Sequence, residues 1–480
     1  MLIRIIKYII SILALIVLLA FGVLFSVIKL YDKEIKEIAL KQLNNQLISP
    51  VIVKDIELSA FNYFPAISLQ FSNLLIKDPL ANNDTLLFAK NTFLNFDAYD
   101  LINKKYVVRK LVLKKGSLAA KVSKDGKENF DVFISKHKSE NNNFKFSLEQ
   151  LTLKDFSVNY HNIPLRQEYD FTISDSKLKG QFSNQEYDLN ILSSMSVNKF
   201  DLEGVNYISS KNTYTEIILQ VKNDPFSLEI KKGKLKIAEM NFFLEGDYKS
   251  SKKDMMNLNI KGNQIQISEI FSILPLDYAS IKTKYSSGGI FNFDGNLNGE
   301  INNKQSLSFF VNFNTENATL KDKLNNIQLE KIDLSGTFNN KQQNLKIINF
   351  SALMNDKIMS GNFEVDNFKN PTYFLNIEGL FDLNKIPFFT TLKDFSLDGE
   401  TAIEMETKIT TKNDKLFFEN LDGKIVSEKI NIDYLPLKTQ LELNSFEADI
   451  SKKNMDITVQ NSFFNEDEFS MNLNFMDWNK

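Results

Sequence analysis

The sequence predicts an all-β protein: an elongated, curled, repeating antiparallel sheet carried on one N-terminal transmembrane helix, with short helices interspersed. Three observations predict it. An uncharged apolar run lies near the start of the chain, apolar residues recur at every second position through much of the remaining chain, and strings of residues in the second half return after about 110 positions.

The run from Tyr8 to Ile28 holds 21 residues without a charge. At ~1.5 Å per residue that is enough to cross a ~30 Å hydrocarbon core. A cleaved signal peptide needs a shorter apolar region and a small-x-small site. Ala20-Phe21-Gly22, the nearest candidate, lies inside the run and has a large central residue. Residues 1–30 therefore read as an uncleaved anchor. Arg4 and Lys7 precede the span and Lys29, Lys33 and Lys36 come after it, so the basic-residue bias leaves the orientation open. With only seven residues ahead of the span, the bulk of the chain is expected on the exported side. In residues 31–50, Ile35, Ile38, Ala39, Leu43 and Leu47 recur at three- and four-residue intervals, the stripe of a short amphipathic helix.

From Val51 the period becomes two. Ile67, Leu69 and Phe71 alternate with polar residues, as do Phe144, Phe146 and Leu148, then Leu258 and Ile260, then Phe469, Met471, Leu473 and Phe475. Lys115-Gly116, Lys124-Asp125-Gly126, Lys232-Gly233 and Asp294-Gly295 read as turns between antiparallel strands. At ordinary strand and turn lengths the chain past residue 50 would hold on the order of 27 to 31 strands. It divides into β regions over 51–135 and 136–229 and repeated units of about 110 residues over 230–480, the last incomplete.

The repeat rests on specific strings. Leu235-Lys236-Ile237, Leu345-Lys346-Ile347 and Met455-Asp456-Ile457 begin 110 residues apart (345 − 235 and 455 − 345). Gly246-Asp247-Tyr248 returns as Gly361-Asn362-Phe363, Asn259 to Gly262 returns as Asn376 to Gly379, and Gly289 has its echo in Gly399. Short helical or turn segments are expected at Ile267 to Leu274 and Leu383 to Phe389, where Pro275 and Pro387 interrupt the pattern.

Composition narrows the function classes. The 57 basic and 60 acidic side chains nearly cancel and are interspersed, which argues against a nucleic-acid role. Cysteine is absent, which fits an oxidising compartment without disulfides and a reducing one equally. His137 and His161 lack metal-ligand spacing and read as surface residues. Glu466-Asp467-Glu468 reads as a solvated hairpin tip rather than a cation site, and Gly288-Gly289 lacks the context of a phosphate loop. With no thiol and no acid/base pair to single out, no enzyme activity, cofactor or metal is expected.

A sheet of such strands has one apolar face, and no second sheet is announced to cover it. Either the sheet curls until its own side chains fill the space, or a groove remains that accommodates acyl chains. In the second case Phe144, Phe146, Leu258, Ile260, Phe469 and Leu473 are the candidate lining.

The N-terminal residues carry a resemblance. A spanning helix and a short helix precede Phe64-Pro65-Ala66-Ile67-Ser68-Leu69. Lys77-Asp78-Pro79, Leu87-Phe88-Ala89 and Asp125-Gly126-Lys127-Glu128-Asn129-Phe130 then come in order. Over roughly the first 135 residues this order and spacing resembles the N-terminal region of the AsmA family, and the Gly-x-aromatic strands after residue 230 look like its body. The resemblance implies a single-pass protein of the bacterial inner membrane with the bulk of the chain in the periplasm. It also implies a role in outer-membrane biogenesis and a bridge-like β-groove conducting phospholipid acyl chains. The alternative it leaves is a non-enzymatic scaffold or regulator of outer-membrane protein assembly, with outer-membrane or periplasmic proteins as partners.

Overall fold

The computed structural model describes residues 33–476 apart from 34–35, 42, 46, 60–66, 82–83, 98, 101–102, 104, 133–143, 183, 209, 252, 274–278, 301–306, 325–326, 387–393, 413–414 and 466. The expected spanning run Tyr8 to Ile28 lies outside these residues, as do Phe64-Pro65-Ala66 and His137. Among the described residues no helix is long and apolar enough to cross a membrane.

The described strands number 24, belong to one hydrogen-bonded sheet and are mostly antiparallel. The chain divides into two compact units, one of the described residues up to Ala238 with 245–252, the other of 239–244 with 253 onward. The first holds β1 (Val51–Ile52), β2 (Asp55–Ser59), β3 (Ile67–Lys77), β4 (Thr85–Phe96), β5 (Tyr106–Val122) and β6 (Phe144–Asn162). It continues with β7 (Gln167–Lys179), β8 (Glu186–Leu202), β9 (Val205–Ile208), β10 (Lys211–Asn223) and β11 (Phe226–Ile237). β12 (Met240–Lys249) contributes to both units. The second unit holds β13 (Met255–Gln266), β14 (Tyr285–Glu300), β15 (Ser308–Asp322), β16 (Ile327–Asn339), β17 (Asn344–Met354) and β18 (Lys357–Asp366). It ends with β19 (Thr372–Asp382), β20 (Phe395–Lys412), β21 (Lys415–Tyr434), β22 (Thr439–Ile450), β23 (Asn454–Phe464) and β24 (Asp467–Met476).

The count falls below the sequence expectation because the strands are long: β5 has 17 residues, β6 has 19 and β21 has 20. Three of the four expected turns, Lys115-Gly116, Lys232-Gly233 and Asp294-Gly295, lie inside β5, β11 and β14. At Gly116 the reason is close approach. A Cβ there would stand 2.7 Å from the ring of Phe156, which the missing side chain lets settle at 1% exposure. Lys115 beside it takes φ 55°, bending the strand without ending it. Lys124-Asp125-Gly126 is a turn as expected, with Gly126 at φ 79°.

A uniform meander is also corrected at one point: β5 and β6 pair in parallel. Parallel neighbours require a crossover connection. Here the residues after β5 include the Asp125 turn, Asn129, Phe130 and Val132.

The repeat strings fall on strands six apart in the chain: Gly246 on β12 and Gly361 on β18, Asn259 on β13 and Asn376 on β19, Gly289 on β14 and Gly399 on β20. Leu235 to Ile237, however, ends β11, whereas Leu345 to Ile347 begins near the start of β17, so these two strings occupy different strand ends. Ile267–Ile273 is helical, as the sequence predicts, and is followed by a second short helix, Ala279–Lys284. The later segment forms a 3-10 turn, Leu383–Lys385.

Candidate functional site

In the second unit the register decides which side chains share a face, because directly opposed residues on paired strands project the same way. Ile260 opposes Gly295, which opposes Val311, then Phe338, Leu345, Val365, Tyr373 and Ile409 in turn. A neighbouring row on the same face begins at Gly379 and runs through Ile403, Ile425, Ala448 and Ile457 to Leu473. An apolar face is thus continuous from β13 to β24. Leu258, Ile260, Phe469 and Leu473, singled out from the sequence, all lie on it.

The opposite face is mostly polar, apart from an exposed apolar row of Leu380, Ala402 and Val426 on β19 to β21. Asn296 Nδ2 donates to Asn257 Oδ1 at 3.0 Å and to Asn259 Oδ1 at 2.7 Å. Lys261 pairs with Asp294 at 2.9 Å, Lys346 with Glu364 at 3.0 Å and Lys429 with Glu442 at 2.8 Å. Such ion pairs between solvated side chains contribute little to stability, but they mark this face as the one that water covers.

The apolar face is unevenly covered. Leu258, Ile260 and Leu473 are half-buried, and Phe475 is 44% exposed. Phe469 instead packs against a closed cluster of Leu383, Ile430, Leu443 and Val459, over which the 3-10 turn delivers Leu383.

The first unit starts from a dry core. Leu69 and Phe71 on β3, Phe96 on β4 and Val108 on β5 are between 0 and 1% exposed. Their cover is the helical stretch at residues 36–41 and 43–45, whose Ile38, Ala39 and Leu43 pack into this cluster as the sequence stripe predicts, joined by Leu47 of the same stripe and by Leu40, Phe130 and Val132. Val51 N–H donates to Asn44 Oδ1 at 2.7 Å and Ile48 N–H to the Val132 carbonyl at 2.8 Å, tying the covering segments together.

Two of the sequence motifs meet here. Asn129, 1% exposed, donates from Nδ2 to Asp78 Oδ2 at 2.7 Å and to the Ala119 carbonyl at 3.0 Å, and its Oδ1 accepts from Lys121 N–H at 2.7 Å. Asp78 Oδ1 accepts from Leu80 N–H at 2.7 Å. The Asp-Pro turn and the Asp-Gly-x-x-Asn turn, 51 residues apart at their bonded side chains, form one buried clasp. Sequence spacing did not disclose that contact, because neither residue has local periodicity to mark its partner.

Beyond this core a second closed cluster, Ala89, Leu113, Phe156 and Ile173, extends to β7, and beside it the face opens. Leu178, Ile191 and Ile217 oppose one another across β7, β8 and β10 and are half-buried. Tyr160, Tyr169 and Phe200 stack in a row, with ring centroids 5.6 and 4.8 Å apart. Burial, then the neighbouring Tyr160, pushes the Tyr169 hydroxyl above its ordinary range, so it stays a neutral donor. The register sets Phe144 and Phe146 opposite Tyr106 and Val108, while their side chains lie outside the described residues.

His161 is exposed on β6 beside an open cavity of about 320 Å³ that Asp78 and Asn129 also line. Of the hairpin tip read at Glu466-Asp467-Glu468, Asp467 and Glu468 open β24 and pair with Phe464 and Phe463 of β23, and Glu466 lies outside the described residues. Among the described residues no group of three or more His, Asp or Glu side chains is placed to hold a metal ion. Comparison with protein-family models, curated proteins and solved structures gives no match.

Proposed function

We propose that this is a non-enzymatic, membrane-anchored periplasmic protein of the AsmA-like kind, acting in outer-membrane biogenesis by conducting phospholipid acyl chains along the apolar face of its sheet. The observation that supports the reading is the register of the second unit. Twelve successive strands carry a continuous apolar row on one face, and its side chains around Leu258, Ile260 and Leu473 stay only half-covered by protein.

The energetics suit a conduit. Each methylene moved from water to such a face gains about 0.8 kcal/mol. Because Ile260, Val311, Phe338 and Leu345 succeed one another with similar chemistry, a chain loses little contact when it advances by a strand. Retention without a specific site is the property that transfer requires.

The test pairs two measurements on wild type, Leu258→Asp and Ile260→Asp: thermal unfolding, and co-purified phospholipid by mass spectrometry. Lipid on the wild type, with reduced lipid and near-normal unfolding in the variants, supports the conduit. A charge in a closed core would instead be desolvated without a partner and cost several kcal/mol. A wild type free of lipid, with variants that simply unfold, would refute the reading and leave a scaffold for outer-membrane protein assembly in its place.

A further inference from the structure

We infer that the covered face of β3 to β5 is closed to lipid, and that the Asp78–Asn129 clasp holds its cover in place, so that the acyl-chain track of the first unit begins at Leu178 on β7 and Ile191 on β8. This rests on the acyl-chain reading above and adds where the track begins and what seals it.

Coverage changes along one face. β3, β4 and β5 turn Leu69, Phe71, Phe96 and Val108 to that face, and all four are essentially inaccessible. Their cover is two pieces of chain, the helical stretch at 36–41 and 43–45, and the crossover residues Phe130 and Val132. A close-packed interior has no room for an acyl chain unless its cover is displaced. Further along, on β7, β8 and β10, Leu178, Ile191 and Ile217 occupy equivalent inward positions and are only half-buried.

The start of the crossover is tied to the end of β5 through its backbone, by Ser123 N–H to the Lys127 carbonyl, Asn129 N–H to the Lys121 carbonyl and the Val122–Glu128 bridge. The Asn129 side chain adds bonds to Lys121 N–H, the Ala119 carbonyl and the Asp78 carboxylate, directly ahead of Phe130 and Val132. Val132 in turn accepts from Ile48 N–H, next to Leu47 of the same cover. Loss of the Asn129 side chain removes the tie between this crossover and the Asp78 turn and loosens the segment that carries Phe130 and Val132 over the core. A buried carboxamide that satisfies three partners has no cheap substitute.

The experiment uses the full chain in vesicles of phosphatidylethanolamine and phosphatidylglycerol doped with a phosphatidylethanolamine that carries a diazirine in one acyl chain. After irradiation, labelled peptides are mapped by mass spectrometry. Adducts at Leu178, Ile191 or Ile217, with at least tenfold fewer at Leu69, Phe71 and Phe96, are expected for the wild type. Adducts of equal yield at Leu69 and Phe71 overturn the inference while leaving the conduit intact, whereas no adduct on the described strands of either unit overturns the conduit reading itself. Asn129→Ala is expected to bring adducts to β3 and β4. An unchanged map in a variant whose far-UV circular dichroism matches wild type overturns the sealing role of the clasp, and the milder Asp78→Asn, which weakens the same bond, is read in the same way where Asn129→Ala fails to fold.

Discussion

Removing the Asn129 side chain offers the sharpest energetic test of how the first unit is held together. Asn129→Ala deletes a hydrogen bond to a carboxylate and two to backbone groups, at 2.7, 3.0 and 2.7 Å, from a site 1% exposed. A bond to a charged group contributes about 1.5–3 kcal/mol, and each buried partner left unsatisfied costs about 1–3 kcal/mol more unless water replaces the lost group. Partial hydration through the adjoining cavity lowers the sum, so a loss of about 3–5 kcal/mol is expected, against a total of about 5–15 kcal/mol for an ordinary domain. Urea unfolding monitored by circular dichroism gives the magnitude, and hydrogen exchange over residues 119–132 gives the location. Asn129→Asp places a second carboxyl group at hydrogen-bond distance from Asp78 and should be comparably unstable at pH 7. Its deficit should shrink on acidification, because a shared proton restores the bond between the two groups. A loss below about 1 kcal/mol for the alanine variant, or exchange that rises elsewhere and not at 119–132, would refute the assignment of Asn129 as the anchor.

Leu69→Ala, in a closed cluster at 0% exposure, should cost about 3–4 kcal/mol and raise hydrogen exchange across β3, whereas Leu258→Ala, half-covered on β13, should cost about 1 kcal/mol; equal losses would contradict the difference between a dry and an open face. At the Asp125 turn, the Lys127 ammonium at 2.8 Å and then the Ser123 hydroxyl at 2.6 Å hold the carboxyl down from 3.8 to about 2. A depressed folded value means that the turn's contribution is present above the ordinary carboxylate range and fades as pH falls toward about 2. Amide exchange at 123–127 should show that acid sensitivity in the wild type and lack it in Asp125→Asn.

The sheet was legible in the sequence wherever alternation was strict. Ile67, Leu69 and Phe71 announced the core face of β3, and Leu258 and Ile260 announced the inward positions of β13, because a period of two admits only one assignment of faces. Ile38, Ala39 and Leu43 likewise announced a helical stripe, though not the surface it would cover. Glycine misled the reading. Gly116, Gly233 and Gly295 look like turns in a local window but sit within strands, and at Gly116 the reason is close packing, which the letter alone does not tell from chain reversal. The parallel pairing of β5 with β6 was equally hidden, as strand direction depends on where a crossover lands rather than on the composition of either strand.

By itself, the sequence determined the all-β class, the alternation that gives the sheet one apolar and one polar face, and the amphipathic stretch ahead of it, all of which depend on neighbours a few residues apart. Only the tertiary structure decided which part of the apolar face is sealed and which is half-open. That difference turns on Asn129 reaching Asp78 and on Val132 reaching Ile48, contacts between residues far apart in the chain whose partners no local period can specify.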